Sequence, residues 1–258
     1  YDSVKQIIAE YLAAGIDPEK VTLYVQSHVP EIPELYLLLN MNSYIGELER
    51  TTSFKEKVRS NPNNVNAGLL TYPVLMAADI LIHKALKVPV GKDQEQNLEM
   101  SRHFARRFNQ MYETELFPEP FPFHFSGVPI KIPGLDGSGK MGKSEGNAIN
   151  LIDSDDVIRK KVMKAVTDTG PKAPDSPVSE PIQNIFTIME QVSTKDVLDF
   201  YISRYKDCTI RYGDLKKQLA EDLIKFISPV RERIFEVRRD EDSLKRITNT
   251  GAEKARES

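Results

Sequence analysis

The strongest constraint on the fold is a change of pattern near residue 152. Before it, short β-branched runs alternate with long apolar-faced stretches; beyond residue 181, almost every segment has helical spacing. Val21–Ser27 (VTLYVQS) alternates as a strand does, and Leu35–Leu48 reads as a helix. A polar gap at Ser60–Asn66 precedes a strongly apolar helix over Gly68–Ala85. Val88-Pro-Val-Gly91 then reads as a short buried strand, and Asp93 stands where a helix N-cap belongs, ahead of Leu98, Phe104, Ala105, Phe108 and Tyr112 on one face. Strand, helix, strand, helix implies an α/β domain with a parallel sheet. Residues 168–181 carry four prolines and read as a linker. Helices are expected over 182–192, 194–205, 213–239 and 242–256, with a kink at Pro229. The expected organisation is therefore an α/β front, residues 1–152, and an all-helical back, residues 153–258.

The chain begins at Tyr1 inside an amphipathic pattern (Val4, Ile7, Ile8, Tyr11, Leu12), as if a longer domain had been cut. No apolar run approaches the roughly 20 residues that a membrane helix needs. One cysteine, Cys208, leaves no internal disulfide and no cysteine-rich zinc site, so an intracellular protein without a membrane span is expected. Net charge is −3, which does not advertise a polyanion partner. Residues 201–258, however, hold 14 Lys and Arg against 11 Asp and Glu, a net of +3. Either a solvated helical surface or a shallow basic face fits that balance. The four histidines (His28, His83, His103, His124) form no metal-ligand pair at helical spacing.

Five of the 13 glycines fall in Gly134–Gly146. Gly137-Ser-Gly-Lys-Met-Gly-Lys-Ser144 satisfies the phosphate-loop pattern G-x-x-x-x-G-K-[ST], but that loop needs a strand before it and a helix directly after. Here Pro129 and Pro133 interrupt the approach, and Glu-Gly-Asn-Ala-Ile-Asn-Leu after it reads as extended. A solvated turn with two stray lysines is the plain alternative. Lys140-Met-Gly-Lys-Ser144 resembles KMSKS, the mobile loop of class I aminoacyl-tRNA synthetases, with Gly142 in place of the central Ser. Two lysines closing over a departing pyrophosphate stabilise charge that builds only in the transition state.

Three further stretches narrow the resemblance: Thr71-Tyr-Pro-Val-Leu-Met-Ala-Ala-Asp-Ile80, Val88-Pro-Val-Gly-Lys-Asp-Gln-Glu-Gln-Asn-Leu-Glu99, and Glu47-Leu-Glu-Arg-Thr-Thr-Ser-Phe-Lys-Glu-Lys57. In order and spacing they are similar to the bacterial-type tryptophanyl-tRNA synthetases over nearly the whole chain. That resemblance implies a Rossmann-like catalytic domain, a helical anticodon-binding domain, and a cytoplasmic homodimer. It also implies that L-tryptophan and ATP, the latter bringing Mg²⁺, form tryptophanyl-adenylate and pyrophosphate before transfer to tRNA(Trp). By the same resemblance Asp79 accepts the indole N–H, Met76, Val88 and Val90 wall the indole, and Tyr72 and Gln94 hold the amino acid's polar end. Gly91, Lys92, Asp93 and Ile132 line the ATP side with Lys140, Met141, Gly142, Lys143 and Ser144, the loop residues Lys140, Lys143 and Ser144 being catalytic. Lys57 reaches toward phosphate.

Read from the residues alone, Asp79 is a carboxylate in an apolar helix, which needs a partner, a capped element or a ligand. Met76, Val88 and Val90 are equally compatible with ordinary core packing. Lys92 departs from the family, which often carries an acid there. No HIGH-like signature occurs, so the chain is expected to lack the first strand and part of the ATP site, and to form the adenylate poorly. Tyrosyl-tRNA synthetases share the fold and a lysine loop, but Met76-Ala-Ala-Asp79 argues against them. A phosphate-loop NTPase and a non-catalytic tRNA-binding module are the readings from other classes.

Overall fold

The computed structural model describes residues 2–124, 130–142 and 146–258. Two compact units divide the chain: Tyr1–Ile16 with Val128–Leu244, and Asp17–Gly127 with Lys245–Ser258. No described helix is long and apolar enough to cross a membrane.

In the unit that starts at Asp17, α2 (Glu31–Met41), α3 (Ile45–Leu48) and α4 (Thr52–Ser60) lead to α5 (Ala67–Leu81). Strand β1 (Lys87–Pro89), helix α6 (Glu95–Met111) and strand β2 (Phe121–Phe123) follow. The strands pair in parallel, Lys87 opposite Phe121 and Pro89 opposite Phe123, so β1–α6–β2 is one crossover unit. The core joins Ile32 and Leu39 of α2, Val74, Ala78 and Leu81 of α5, and Phe104 of α6. Ala252 and Ala255 of α11 (Glu241–Glu257) complete it. At Gly251 a Cβ would collide with the carbonyl oxygen of Leu23, so only glycine permits that approach.

Two local expectations are corrected here. The reading of Leu35–Leu48 as one helix fails at Asn42–Tyr44. Asn42 Nδ2 donates to Leu38 O at 2.9 Å and Ser43 Oγ to Leu39 O at 2.8 Å, which occupies the last carbonyls of α2 and ends it. Val21–Ser27 is not a strand: it is extended and unpaired, and closes in a short 3₁₀ turn, Gln26–His28. The alternation is there, but Leu23 lies against a helix, which offers no ladder of free backbone groups.

The other unit is helical. In it are α1 (Asp2–Ala13), α7 (Asp155–Met163), α8 (Glu180–Val192), α9 (Lys195–Lys206) and α10 (Tyr212–Arg239). Ser154 caps α7 by accepting from Val157 N, and Asp155 and Asp156 fill its first turn, where the helix dipole favours acids. Ile158, Ile182, Phe186, Tyr205, Leu215 and Leu219 form the core. Ala9 and Ala13 of α1 pack on Ile234 of α10. Helix α10 runs through Pro229 without interruption. The linker is tied down at Asp168: its carboxylate accepts from Gly170 N at 2.7 Å and from the hydroxyls of Ser179, Tyr205 and Tyr212. Burial raises this carboxyl, but those donors outweigh it and hold it below the usual aspartate range.

Candidate active site

The apolar helix α5 places Tyr72, Met76 and Asp79 within about 60° of arc on one face, because residues four and seven apart nearly eclipse at 3.6 per turn. The helix starts on Asn66, whose side chain accepts from Leu69 N at 3.0 Å. Asp79 is partly buried, and a residue that did not figure among the expected site residues meets it. Gln26 Nε2 donates to both carboxylate oxygens, at 2.7 and 2.9 Å. One turn further, His83 Nε2 shares a 2.7 Å hydrogen bond with the Tyr24 hydroxyl, and the two rings pack edge to face. His83 Nδ1 shares another with Ser258 Oγ.

The electrostatics follow from this packing. Burial raises the Asp79 carboxyl above the usual aspartate range, with Gln26 and His83 pulling it partly back. Burial lowers the His83 imidazole, against the opposing pull of Asp79. The Tyr24 hydroxyl is raised, first by burial and then by the Asp79 charge. Asp79 is thus a charge-bearing acceptor in poor solvent, oriented by one amide and open to a further donor. The signal for Gln26 was a polar side chain closing a run read as strand; the long-range contact, 53 residues away, was not visible.

Beside β1, Val88 is partly buried between exposed neighbours, and Val90 follows it. Asp93 is not an N-cap. Gly91 precedes a 3₁₀ turn, Lys92–Gln94, and Asp93 sits inside it, where its Oδ2 accepts from Gln94 Nε2 at 3.1 Å. A Cβ at Gly91 would come within 2.6 Å of Asp93 Oδ1, so glycine lets the chain pass closely there. Gln94 is held from its other end, where Oε1 accepts from Asn97 Nδ2 at 2.9 Å. Buried Asn97 fixes that amide, while its own Oδ1 has no partner among the described atoms. Lys57 lies over the Tyr72 ring at 4.6 Å, so these two come together as a cation–π pair.

The lysine loop lies in the helical unit and is organised differently. Met141 N donates to Ile132 O at 2.9 Å and Gly134 N to Ser138 O at 2.9 Å, which draws the loop's two sides together. Buried Asn147 then clamps its interior. Asn147 Oδ1 accepts from Gly142 N at 2.9 Å, and Nδ2 donates toward Asp136 Oδ1, Ser138 Oγ and Lys140 O at 2.9–3.0 Å. Ser138 and Asn147 hold the exposed Asp136 carboxyl below the usual range. A Cβ at Gly134 would run into that cluster, and Gly137 adopts φ +84. Asn147 was expected only as part of an extended stretch; its role is visible in no spacing rule. Lys140 is exposed, while Lys143 and Ser144 lie outside the described residues. The segments flanking the loop, 130–134 and 147–150, are neither strand nor helix, and the next helix starts at Asp155, so the phosphate-loop context is absent among the described residues.

A family model described as tRNA synthetases class I (W and Y) matches residues 1–228. A tryptophan–tRNA ligase of Porphyromonas gingivalis is 64% identical over 256 residues, 99% of this chain and 78% of that protein. The tryptophan–tRNA ligase of Helicobacter pylori is 41% identical across 97% of this chain and 76% of its own length. Among solved structures, a tryptophanyl-tRNA synthetase from Campylobacter jejuni complexed with ADP and tryptophan superposes with a TM-score of 0.84 at 34% identity, covering 98% of this chain and 77% of that one.

Proposed function

The chain belongs to the class I tRNA synthetases of the tryptophan and tyrosine family, and on that premise we propose how its residues divide the work of a tryptophan–tRNA ligase. The fold is the Rossmann-like class I fold with a helical C-terminal domain. The reaction joins L-tryptophan to tRNA(Trp) at the expense of ATP. In the first step a carboxylate oxygen of tryptophan bonds to the α-phosphorus. The bond to the β-phosphate oxygen breaks, and pyrophosphate leaves with the electron pair. In the second, a hydroxyl of the tRNA's terminal adenosine attacks the activated carbonyl and AMP departs.

The observation that carries the substrate assignment is the partly buried Asp79 carboxylate on the apolar face of α5. Its Gln26 contact leaves lone pairs for an indole N–H, and a side chain without that donor leaves a desolvated acceptor unpaired. Met76, Val88 and Val90 supply the apolar walls; Tyr72 and Gln94 take the α-amino and carboxylate end, Gln94 being oriented by Asn97. Gly91, Lys92 and Asp93 in one unit are assigned to ATP, as are Ile132, Met141 and Gly142 in the other. Lys140 and Lys143, with Ser144, stabilise the departing pyrophosphate. Mg²⁺ enters on the phosphates of ATP; among the described residues no three His, Cys, Asp or Glu side chains converge on a point. Residues 1–152 act as the catalytic domain and residues 153–258 as the anticodon-binding domain, in a cytoplasmic enzyme.

A homodimer completes the proposal. Leu37, Leu38, Met41, Tyr44 and Ile45, on α2 and at the start of α3, are 45–75% exposed, an apolar patch of the kind that stable subunit contacts cover. The chain contains no tryptophan, so free L-tryptophan is the only indole fluorophore in a titration. Raised anisotropy that excess tyrosine does not reverse supports the substrate assignment; no change, or full displacement by tyrosine, overturns it.

A further inference from the structure

We infer that His83 is a positioning residue for the Asp79 carboxylate, acting through Tyr24 and Gln26, which fasten the extended segment before the Gln26–His28 turn to α5 at two points. The inference rests on the proposed role of Asp79 as indole acceptor and adds a residue outside the assigned substrate contacts. Among the described residues the segment belongs to no sheet, so side chains rather than a backbone ladder set its place against α5. Two repeats match there. Side chains two apart on an extended chain project from the same side, roughly 6.6 Å apart along it, and residues four apart on a helix share a face, roughly 6 Å apart along its axis. Tyr24 and Gln26 therefore meet His83 and Asp79 pairwise. The Tyr24 hydroxyl is 2.7 Å from His83 Nε2, and Gln26 Nε2 is 2.7 and 2.9 Å from the two Asp79 oxygens. A slip of one residue would turn both side chains away.

The directions of the hydrogen bonds are fixed as well. The Ser258 hydroxyl donates its proton to Ala255 O at 2.9 Å, so toward His83 Nδ1, at 2.7 Å, it accepts. Nδ1 therefore carries the imidazole proton and Nε2 the lone pair, into which the Tyr24 hydroxyl donates. Burial favours the neutral imidazole and the protonated phenol, the two forms this chain of donors requires. From the other side, Gly251 of α11 admits the Leu23 carbonyl, and Val29 is fully buried just after the turn. The segment is thus held in front by Tyr24 and behind at Leu23, which keeps the Gln26 amide on Asp79. The carboxylate is ordered before tryptophan arrives, so binding has less freedom to remove.

Anisotropy of free L-tryptophan, read in a double-mutant cycle on the full chain, tests the inference. His83→Leu is expected to weaken tryptophan binding about threefold. Tyr24→Phe, which keeps the ring contact and removes only the donor, should do the same. His83→Gln, whose amide oxygen can stand in for Nε2 and accept from Tyr24, restores affinity. In a Gln26→Ala background both losses vanish, because the fastening reaches Asp79 only through that amide. Equal losses with and without Gln26 would make His83 a packing residue and overturn the inference, as would unchanged affinity in His83→Leu and Tyr24→Phe. Nitrogen NMR of the unliganded chain gives a reading that does not depend on tryptophan. His83 is expected as the Nδ1–H tautomer with Nε2 unprotonated at neutral pH, and the opposite tautomer overturns the inference. Undiminished tryptophan affinity in Asp79→Asn, or no binding by the unaltered chain, would instead remove the substrate reading, and this role of His83 with it.

Discussion

The Asp79 face and the lysine loop are both hydrogen-bonded polar clusters, built on opposite principles. Asp79 depends on distant sequence: Gln26 is 53 residues away, and its carboxyl sits above the ordinary range because burial dominates. The loop is local. Asp136, Ser138, Lys140, Gly142 and Asn147 bond within 12 residues, and Asp136 sits below the ordinary range because donors dominate at an exposed group. On the proposed roles, a site that must reject the wrong side chain uses desolvation on a rigid helix. A site proposed to present lysines to phosphate uses a self-contained hydrogen-bonded base.

The widest separation between the two comes from removing the carboxylate charge. Asp79→Asn is expected to weaken tryptophan binding a hundredfold or more by fluorescence anisotropy, since the indole N–H loses its charged acceptor. The same substitution raises the melting temperature at pH 7, because a partly desolvated charge is gone. A lowered melting temperature would mean that Asp79 is a net stabilising partner.

Asn147→Ala is the converse experiment. Tryptophan affinity stays within twofold, while tryptophan-dependent pyrophosphate exchange falls ten- to a hundredfold, because Gly142 N and Asp136 lose the group that fixes the loop. Equal losses in affinity and turnover would show that the two sites are not independent. Gln26→Ala should cost a smaller factor, about fivefold in tryptophan affinity, since it orients the acceptor without replacing it.

Acidification separates the regions again. The raised Asp79 carboxyl takes up its proton first as the solution is acidified, so tryptophan affinity should decline as pH falls through that raised value, before the loop changes. The folded chain binds that proton more readily than the unfolded one. Asp79 therefore destabilises least at low pH, and its unfavourable contribution grows as pH rises through its raised value. Asp168 has the opposite sign: its contribution is full above the ordinary aspartate range and is lost as pH falls through its depressed value. Tyr212→Phe, which removes one donor to Asp168, should lower stability by about 1 kcal/mol in urea unfolding and leave tryptophan binding alone.

Legibility in the sequence follows the range of the interactions. The proline linker and the four helices beyond it are written in local spacing, and the structure has those helices within two residues of their expected bounds. Asp79 stood out because a charge inside an apolar helix violates a local rule. Its partners Gln26, Tyr24 and His83 break no such rule and come together only through packing. Val21–Ser27 misled for the related reason that alternation describes side chains, whereas a strand also needs a neighbour. Asn42 and Ser43 ended α2 by bonding back to it, a contact that the apolar pattern of Leu35–Leu48 concealed.

The seating of Ala252 and Ala255 in the core built by α2, α5 and α6 also sets a timetable. That core stays open on the ribosome until α11 has left the exit tunnel, more than 100 residues after Phe117 was joined to the chain. Every helix of the other unit can pack first. The unit that holds Asp79 then closes later in synthesis than the helices of the other unit, and substitutions at Gly251 or Ala255 would show themselves first as a defect in yield during synthesis, before any change in the properties of the folded protein.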